Sequence, residues 1–160
     1  MNSIILFDED QSRKNLLPLT FTRPVCEIRI GIFTIREKWE FILKTSVSYL
    51  TQNYLSEKFP LKPTKNNIFI NGKICPDHKL INALKNLKVG ESLYMGPTLI
   101  AFRGGDFQQA SQSDTSKTDY KENVLEINHP WDIFQKNSEA LKADFEWVLQ
   151  NKKSIALSST

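Results

Sequence analysis

Ile4-Ile5-Leu6-Phe7-Asp8-Glu9-Asp10-Gln11-Ser12-Arg13-Lys14-Asn15-Leu16-Leu17-Pro18-Leu19-Thr20-Phe21-Thr22-Arg23-Pro24 decides how the 160-residue chain is read. Its first four residues are apolar without alternation and stop at three acids. That pattern predicts a short strand buried on both faces, as in the centre of a parallel sheet. Such a sheet places ligands just outside the carboxyl ends of its strands. Residues 8–31 hold Pro18 and Pro24 and show no periodicity. They read as a long loop, and long loops in compact domains are often functional.

Working outward, Thr34 can cap a helix that starts near Ile35, with Glu37 completing a capping box. Trp39, Ile42, Leu43 and Val47 recur at helical spacing and carry that helix to about Leu50. Residues 67–71 (Asn-Ile-Phe-Ile-Asn) read as a strand closed by the turn pair Asn71-Gly72. Residues 77–87 read as a helix with Leu80, Ile81, Leu84 and Leu87 on one stripe. Residues 92–102 hold two apolar runs split by Gly96-Pro97, which predicts a hairpin. Residues 104–122 are polar and aperiodic and read as a mobile surface loop. Residues 124–127 predict another strand. Pro130 suits the first turn of a helix. Its expected apolar face is Trp131, Phe134, Leu141, Phe145, Val148 and Leu149, with a break near Asn137-Ser138. Residues 154–160 resemble the start of a strand. Strands alternating with helices predict an α/β domain, Rossmann-like, with a mostly parallel central sheet, spanning residues 1–160.

Composition narrows the function. An apolar fraction of 40% with 24% charged residues is that of a folded domain, not a disordered chain. A net charge of +3 without a Lys or Arg block favours a small anionic ligand and argues against nucleic acid. No apolar run approaches the ~20 residues of a membrane helix, and no signal segment opens the chain. Cys26 and Cys75 have neither disulfide nor metal-ligand spacing, which suits a reduced, cytoplasmic setting.

Six cations, Arg13, Lys14, Arg23, Arg29, Arg36 and Lys38, fall within residues 13–38. Arginine forks match phosphate oxygens, and lysine supplies a point charge. Asp8, Glu9 and Asp10 stand at the strand end, where a divalent ion could be shared with a phosphate. Asp106 follows Gly104-Gly105 in an aperiodic stretch and carries little weight as a metal ligand. His78 and His129 have no triad context. Trp39 reads as core, Cys26 as an inert buried thiol, and Thr20 first as a loop-stabilising hydroxyl.

Leu17-Pro18-Leu19-Thr20, with Pro24 after it and a strand before it, resembles the signature of sugar-1-phosphate nucleotidyltransferases. The longer block from Asn15 to Pro24, with Arg29-Ile30-Gly31 and Thr34-Ile35-Arg36-Glu37-Lys38-Trp39, resembles a divergent bacterial branch of that family. Residues 66–76, 99–103 and 130–134 extend the likeness over most of the chain. It is also similar to the N-terminal domain of N-acetylglucosamine-1-phosphate uridylyltransferases, which carry a β-helix domain behind it. The resemblance implies a nucleoside triphosphate and a sugar 1-phosphate as substrates, Mg²⁺ as cofactor, a linked β-helix, and a domain incomplete at its C-terminal side. It implies phosphate contacts from Arg13, Arg23 and Arg29, a nucleotide loop shaped by Asn15 and Thr20, a supporting cation at Lys38, and a metal ligand at Asp8. The chain departs from the family pattern in several places, among them the lack of a clear later Asp of the kind that holds the family's Mg²⁺. Residues 8–14 contain no glycine, Asn15 falls on the signature arginine, and Val25 falls on the signature lysine. These departures open a second reading, a degenerate module that binds a sugar nucleotide or holds a neighbouring domain.

Overall fold

The computed structural model describes residues 3–111 and 116–151. In chain order the elements are β1 (Ser3–Phe7), α1 (Asp10–Asn15), β2 (Arg29–Ile30), β3 (Phe33–Thr34), α2 (Ile35–Leu43), β4 (Val47–Leu50) and β5 (Asn67–Asn71). Then come α3 (His78–Asn86), β6 (Glu91–Met95), β7 (Thr98–Gly104), β8 (Ser116–Asp119), α4 (Pro130–Gln135) and α5 (Asn137–Asn151).

The main sheet has the order β4-β1-β5-β7-β6-β8. β1 is parallel to both β4 and β5, and β6 is parallel to β8. β7 is antiparallel to its neighbours β5 and β6, so it alone runs against the other five. This is the expected mixed α/β class with a mostly parallel sheet. β1 is central because both of its faces are apolar. Ile4 and Leu6 join the larger core with Trp39 of α2 and Leu80 of α3, while Ile5 and Phe7 join Phe69 and Phe102 on the other face. Burying an Ile or Leu side chain completely contributes about 1.5–3 kcal/mol.

α2 starts where its capping box places it. The Thr34 amide donates to Glu37 Oε2 at 2.7 Å, and the Glu37 amide donates to Thr34 Oγ1 at 3.1 Å. It does not reach Leu50. Lys44 takes the left-handed conformation at φ 51° and stops it, and Val47–Leu50 becomes the edge strand β4 against β1. The helical spacing of Val47 was accidental, and the β-branched and aromatic residues Val47 and Tyr49 suit the strand.

Four further expectations change. Asp10–Asn15 is helical inside the expected loop, stabilised by buried Ser12 and Arg13 instead of an apolar face. Residues 124–127 form only one bridge, between Glu126 and Ile74. The expected apolar face of α4 and α5 is the exposed one, with Trp131, Phe134, Leu141, Phe145 and Leu149 turned outward. α5 instead buries Ala140, Asp144 and Trp147, one stripe at helical spacing. Part of the 104–122 stretch is structured, as a 3-10 turn at Phe107–Ser111 and as β8. The expected strand at residues 154–160 lies outside the described residues.

Candidate active site

The chain leaves β1 toward β4 on one side and returns to β5 on the other, so the order of strands reverses between β1 and β5. In open α/β sheets the crevice outside the carboxyl ends at such a point is the usual ligand site. A cleft of about 450 Å³ lies there. Phe7, Leu50, Leu99 and Phe107 supply apolar walls, and Asp8, Glu9, Asp10, Gln52 and Asn71 supply polar groups.

Gly72 lets the ends of β1 and β5 approach. Its amide donates to the Phe7 carbonyl at 2.8 Å, and a Cβ there would sit 3.1 Å from that oxygen. Asn71 is set by a bond from its Nδ2 to the Leu99 carbonyl at 3.0 Å. β7 begins at this end of the sheet and finishes at the other, because Gly104 pairs with Asn67. Asp106 does not line the cleft, although its neighbour Phe107 does.

Asp8 is a structural junction. Its side chain is 3% exposed. Oδ1 accepts the Val25 amide at 2.9 Å, and Oδ2 accepts the Thr51 hydroxyl at 2.6 Å. Arg13 Nε lies 3.9 Å away. Burial pushes the Asp8 carboxyl up, outweighing the two hydrogen bonds and Arg13. Each oxygen accepts one protein donor, which fixes the carboxylate between Val25 and Thr51. No group of three or more His, Cys, Asp or Glu side chains converges among the described residues.

Arg13 is 9% exposed and locks the following loop. Its Nη2 donates to the Thr20 carbonyl at 2.9 Å and to the Tyr54 hydroxyl. The Thr20 hydroxyl donates back to the Arg13 carbonyl at 2.7 Å, and Tyr54 donates to the Phe21 carbonyl at 2.7 Å. Arg13 and Thr20 thus shape the loop from within and present no open surface to a nucleotide. Asn15, on the last turn of α1, accepts Gln11 Nε2 at 2.8 Å.

Lys38 is not a ligand cation. It is 1% exposed and paired with fully buried Asp144 of α5. Arg23 and Arg29 are exposed, and they line a second hollow of about 480 Å³ with Leu19, Ile28 and Phe134. That hollow shares no lining residue with the cleft. Arg29 lies 3.6 Å from Glu37 and donates to the Ile32 carbonyl. The expected cations are therefore not gathered at one place.

Sequence reading passed over Lys73 and took Glu9 only as one of three acids at the end of the first strand. Lys73 is 4% exposed and follows Asn71-Gly72. Its Nζ lies 2.8 Å from Glu9, 3.4 Å from Glu126 and 2.9 Å from Asn128 Oδ1. Burial pushes the Glu9 carboxyl up, but hydrogen bonds from Lys73 and Ser12 outweigh it and hold it below the usual range. The available signal was a lone lysine within the apolar run from Ile68 to Cys75. Cys26 and Cys75 are buried and unbridged, and burial pushes the Cys75 thiol up to about 12. No described helix is long and apolar enough to cross a membrane.

The chain is similar to a solved Bacillus anthracis protein described as a putative glucose-1-phosphate thymidylyltransferase, crystallised with sucrose. The two share 12% identity over 88% of this chain and 95% of the other, with a TM-score of 0.47. No curated protein sequence matches it significantly. The sequence profile of the family described as sugar nucleotidyl transferase matches residues 4–153, and the chain belongs to that family.

Proposed function

We propose that the chain transfers a nucleotidyl group from a nucleoside triphosphate to a sugar 1-phosphate, with both bound in the cleft beyond β1 and β5. The observation that carries this reading is the position of the cleft, at the reversal of strand order. Its composition agrees. Phe7, Leu99 and Phe107 offer apolar contact to a base or sugar ring, and the Gln52 amide faces the same space for ring hydroxyls. In the reaction a sugar-phosphate oxygen attacks the α-phosphorus. The bond from the α-phosphorus to the bridging oxygen breaks, and pyrophosphate leaves with that electron pair. Such chemistry needs positioning and charge neutralisation, not a covalent intermediate.

A second reading is favoured by a specific observation. Among the described residues no Lys or Arg lines the cleft, and Arg13, Thr20 and Lys38 are engaged inside the protein. On that reading the chain holds a sugar nucleotide without turnover. Pyrophosphate release from UTP or dTTP with glucose 1-phosphate, with and without Mg²⁺, separates the two. Leu99→Trp fills the cleft without altering charge and is expected to abolish both turnover and binding. Turnover untouched by Leu99→Trp would remove the reaction from this cleft. UDP-glucose binding without pyrophosphate release would establish the second reading.

A further inference from the structure

We infer that Lys73 is a masked phosphate cation of the cleft, and that Glu9 is the group an incoming phosphate displaces from it. The inference rests on the reading of the cleft as a phosphate-ligand site. An anionic substrate entering there meets Asp8, Glu9 and Asp10 and, among the described residues, no lining cation. A buried positive charge, Lys73, stands one carboxylate behind the surface. Lys73 Nζ is 2.8 Å from Glu9, whose side chain is 34% exposed and lines the cleft. Asn71, two residues before Lys73, lines it as well.

The surroundings of Lys73 suit an exchange of partners. One ammonium group serves two carboxylates, Glu9 and Glu126, and also Asn128 Oδ1. Lys73 can give up Glu9 for a phosphate oxygen and keep its hydrogen bond to Asn128 Oδ1 and the nearby charge of Glu126. Glu126 stays attached through Oε1, which accepts Asn128 Nδ2 at 2.9 Å, although its buried Oε2 has no hydrogen-bond donor. Glu9 also holds a second donor, the Ser12 hydroxyl, which can remain with it when Lys73 is released. A cation held this way stays neutralised while the cleft is empty, which avoids an unpaired buried charge.

The test is calorimetric titration of inorganic tripolyphosphate into wild type, Glu9→Gln, Asp10→Asn, Lys73→Met and the double variant Glu9→Gln/Lys73→Met at low salt. Glu9→Gln is expected to tighten binding about tenfold, equivalent to about 1.4 kcal/mol. Asp10→Asn removes an exposed, screened charge and is expected to gain less than about threefold. The Glu9→Gln gain is expected to vanish when Lys73 is also replaced. Equal gains from Glu9→Gln and Asp10→Asn, a gain that persists without Lys73, or no binding by any variant would each overturn the inference. If Lys73→Met fails to fold, the comparison of Glu9→Gln with Asp10→Asn still decides. A purely structural lysine predicts lower stability in Glu9→Gln and no gain in anion binding. Turnover is a separate readout: tripolyphosphate results as expected without any pyrophosphate release would sink the catalytic reading and leave the role of Lys73 standing.

Discussion

Replacing Asp144 with alanine is expected to cost more stability than any single change in the cleft. Asp144 is fully buried, and its partner Lys38 is 1% exposed. Its Oδ2 also accepts the amides of Ile32 at 2.8 Å and Phe33 at 3.3 Å. The alanine variant strands one buried ammonium group and two backbone donors. Breaking a buried pair from one side costs about 3–5 kcal/mol. For a chain of this size each kcal/mol lowers Tm by about 2–4 °C, so the expected fall is roughly 6–20 °C. Thermal melts followed by circular dichroism, with urea titration at fixed pH, measure it. The double variant Lys38→Met/Asp144→Leu removes both charges and is expected to recover part of the loss, leaving the two amides as the residual cost. A loss below about 1 kcal/mol in Asp144→Ala, the worth of an exposed pair, would refute the reasoning. So would a double variant as damaged as the sum of its parts.

Arg13→Ala is expected to lose roughly 1.5–3 kcal/mol, the worth of a charged hydrogen bond, and to speed proteolytic cleavage at Arg23. Tyr54→Phe, which keeps the ring beneath the guanidinium, should lose about 1 kcal/mol in the same urea titration. Gly31→Ala is expected to lose more than about 1 kcal/mol, because its φ is +75° and a Cβ there would lie 2.5 Å from Asp144 Oδ2; the urea midpoint reports it. Glu37 and Asp8 should respond to pH with opposite signs. Burial pushes Glu37 up, but the Thr34 bonds and the Arg29 and Arg36 charges hold it below its ordinary 4.5, so its contribution is present above that pH and fades as pH falls below it. Asp8 is raised above its ordinary 3.8, so the fold binds its proton more tightly than the unfolded chain does, and its contribution shrinks as pH rises from 3.8 through the folded value. Urea midpoints between pH 3 and 7 for Glu37→Gln and Asp8→Asn check both signs; equal slopes for the two variants would count against the assignment.

What the sequence made legible was local. The unbroken apolar run of β1, the Thr34 capping box and the Gly96-Pro97 turn each carry their cause within a few residues, and each appears where expected. β4 was not legible, because Val47 fits a helix as well as a strand, and only pairing with β1 and the turn at Lys44 decide between them. The buried face of α5 was hidden for a related reason. A search for an apolar stripe passes over Asp144, whose burial makes sense only once Lys38 is known to meet it. The cations were read by type and not by depth. Arg13 and Lys38 look like phosphate ligands in a list of charges, and both turn out to face inward. Lys73 lacked any pattern of its own until Glu9, Glu126 and Asn128 were placed around it.

The contacts between the β2–β3 hairpin, α2 and α5 also set an order of events. Gly31 bonds to Asn137, Ile32 to Asp144, and Lys38 to Asp144, across separations of 106 to 112 residues. At about 5–20 residues per second of synthesis, the partner of Lys38 emerges roughly 5–20 s after Lys38 itself. During that interval the hairpin amides and the lysine stay in water, and the packing of α2 cannot close over them. The growing chain thus carries an unfinished N-terminal third that is completed only by the arrival of α5, and this stage is where a folding helper would find it.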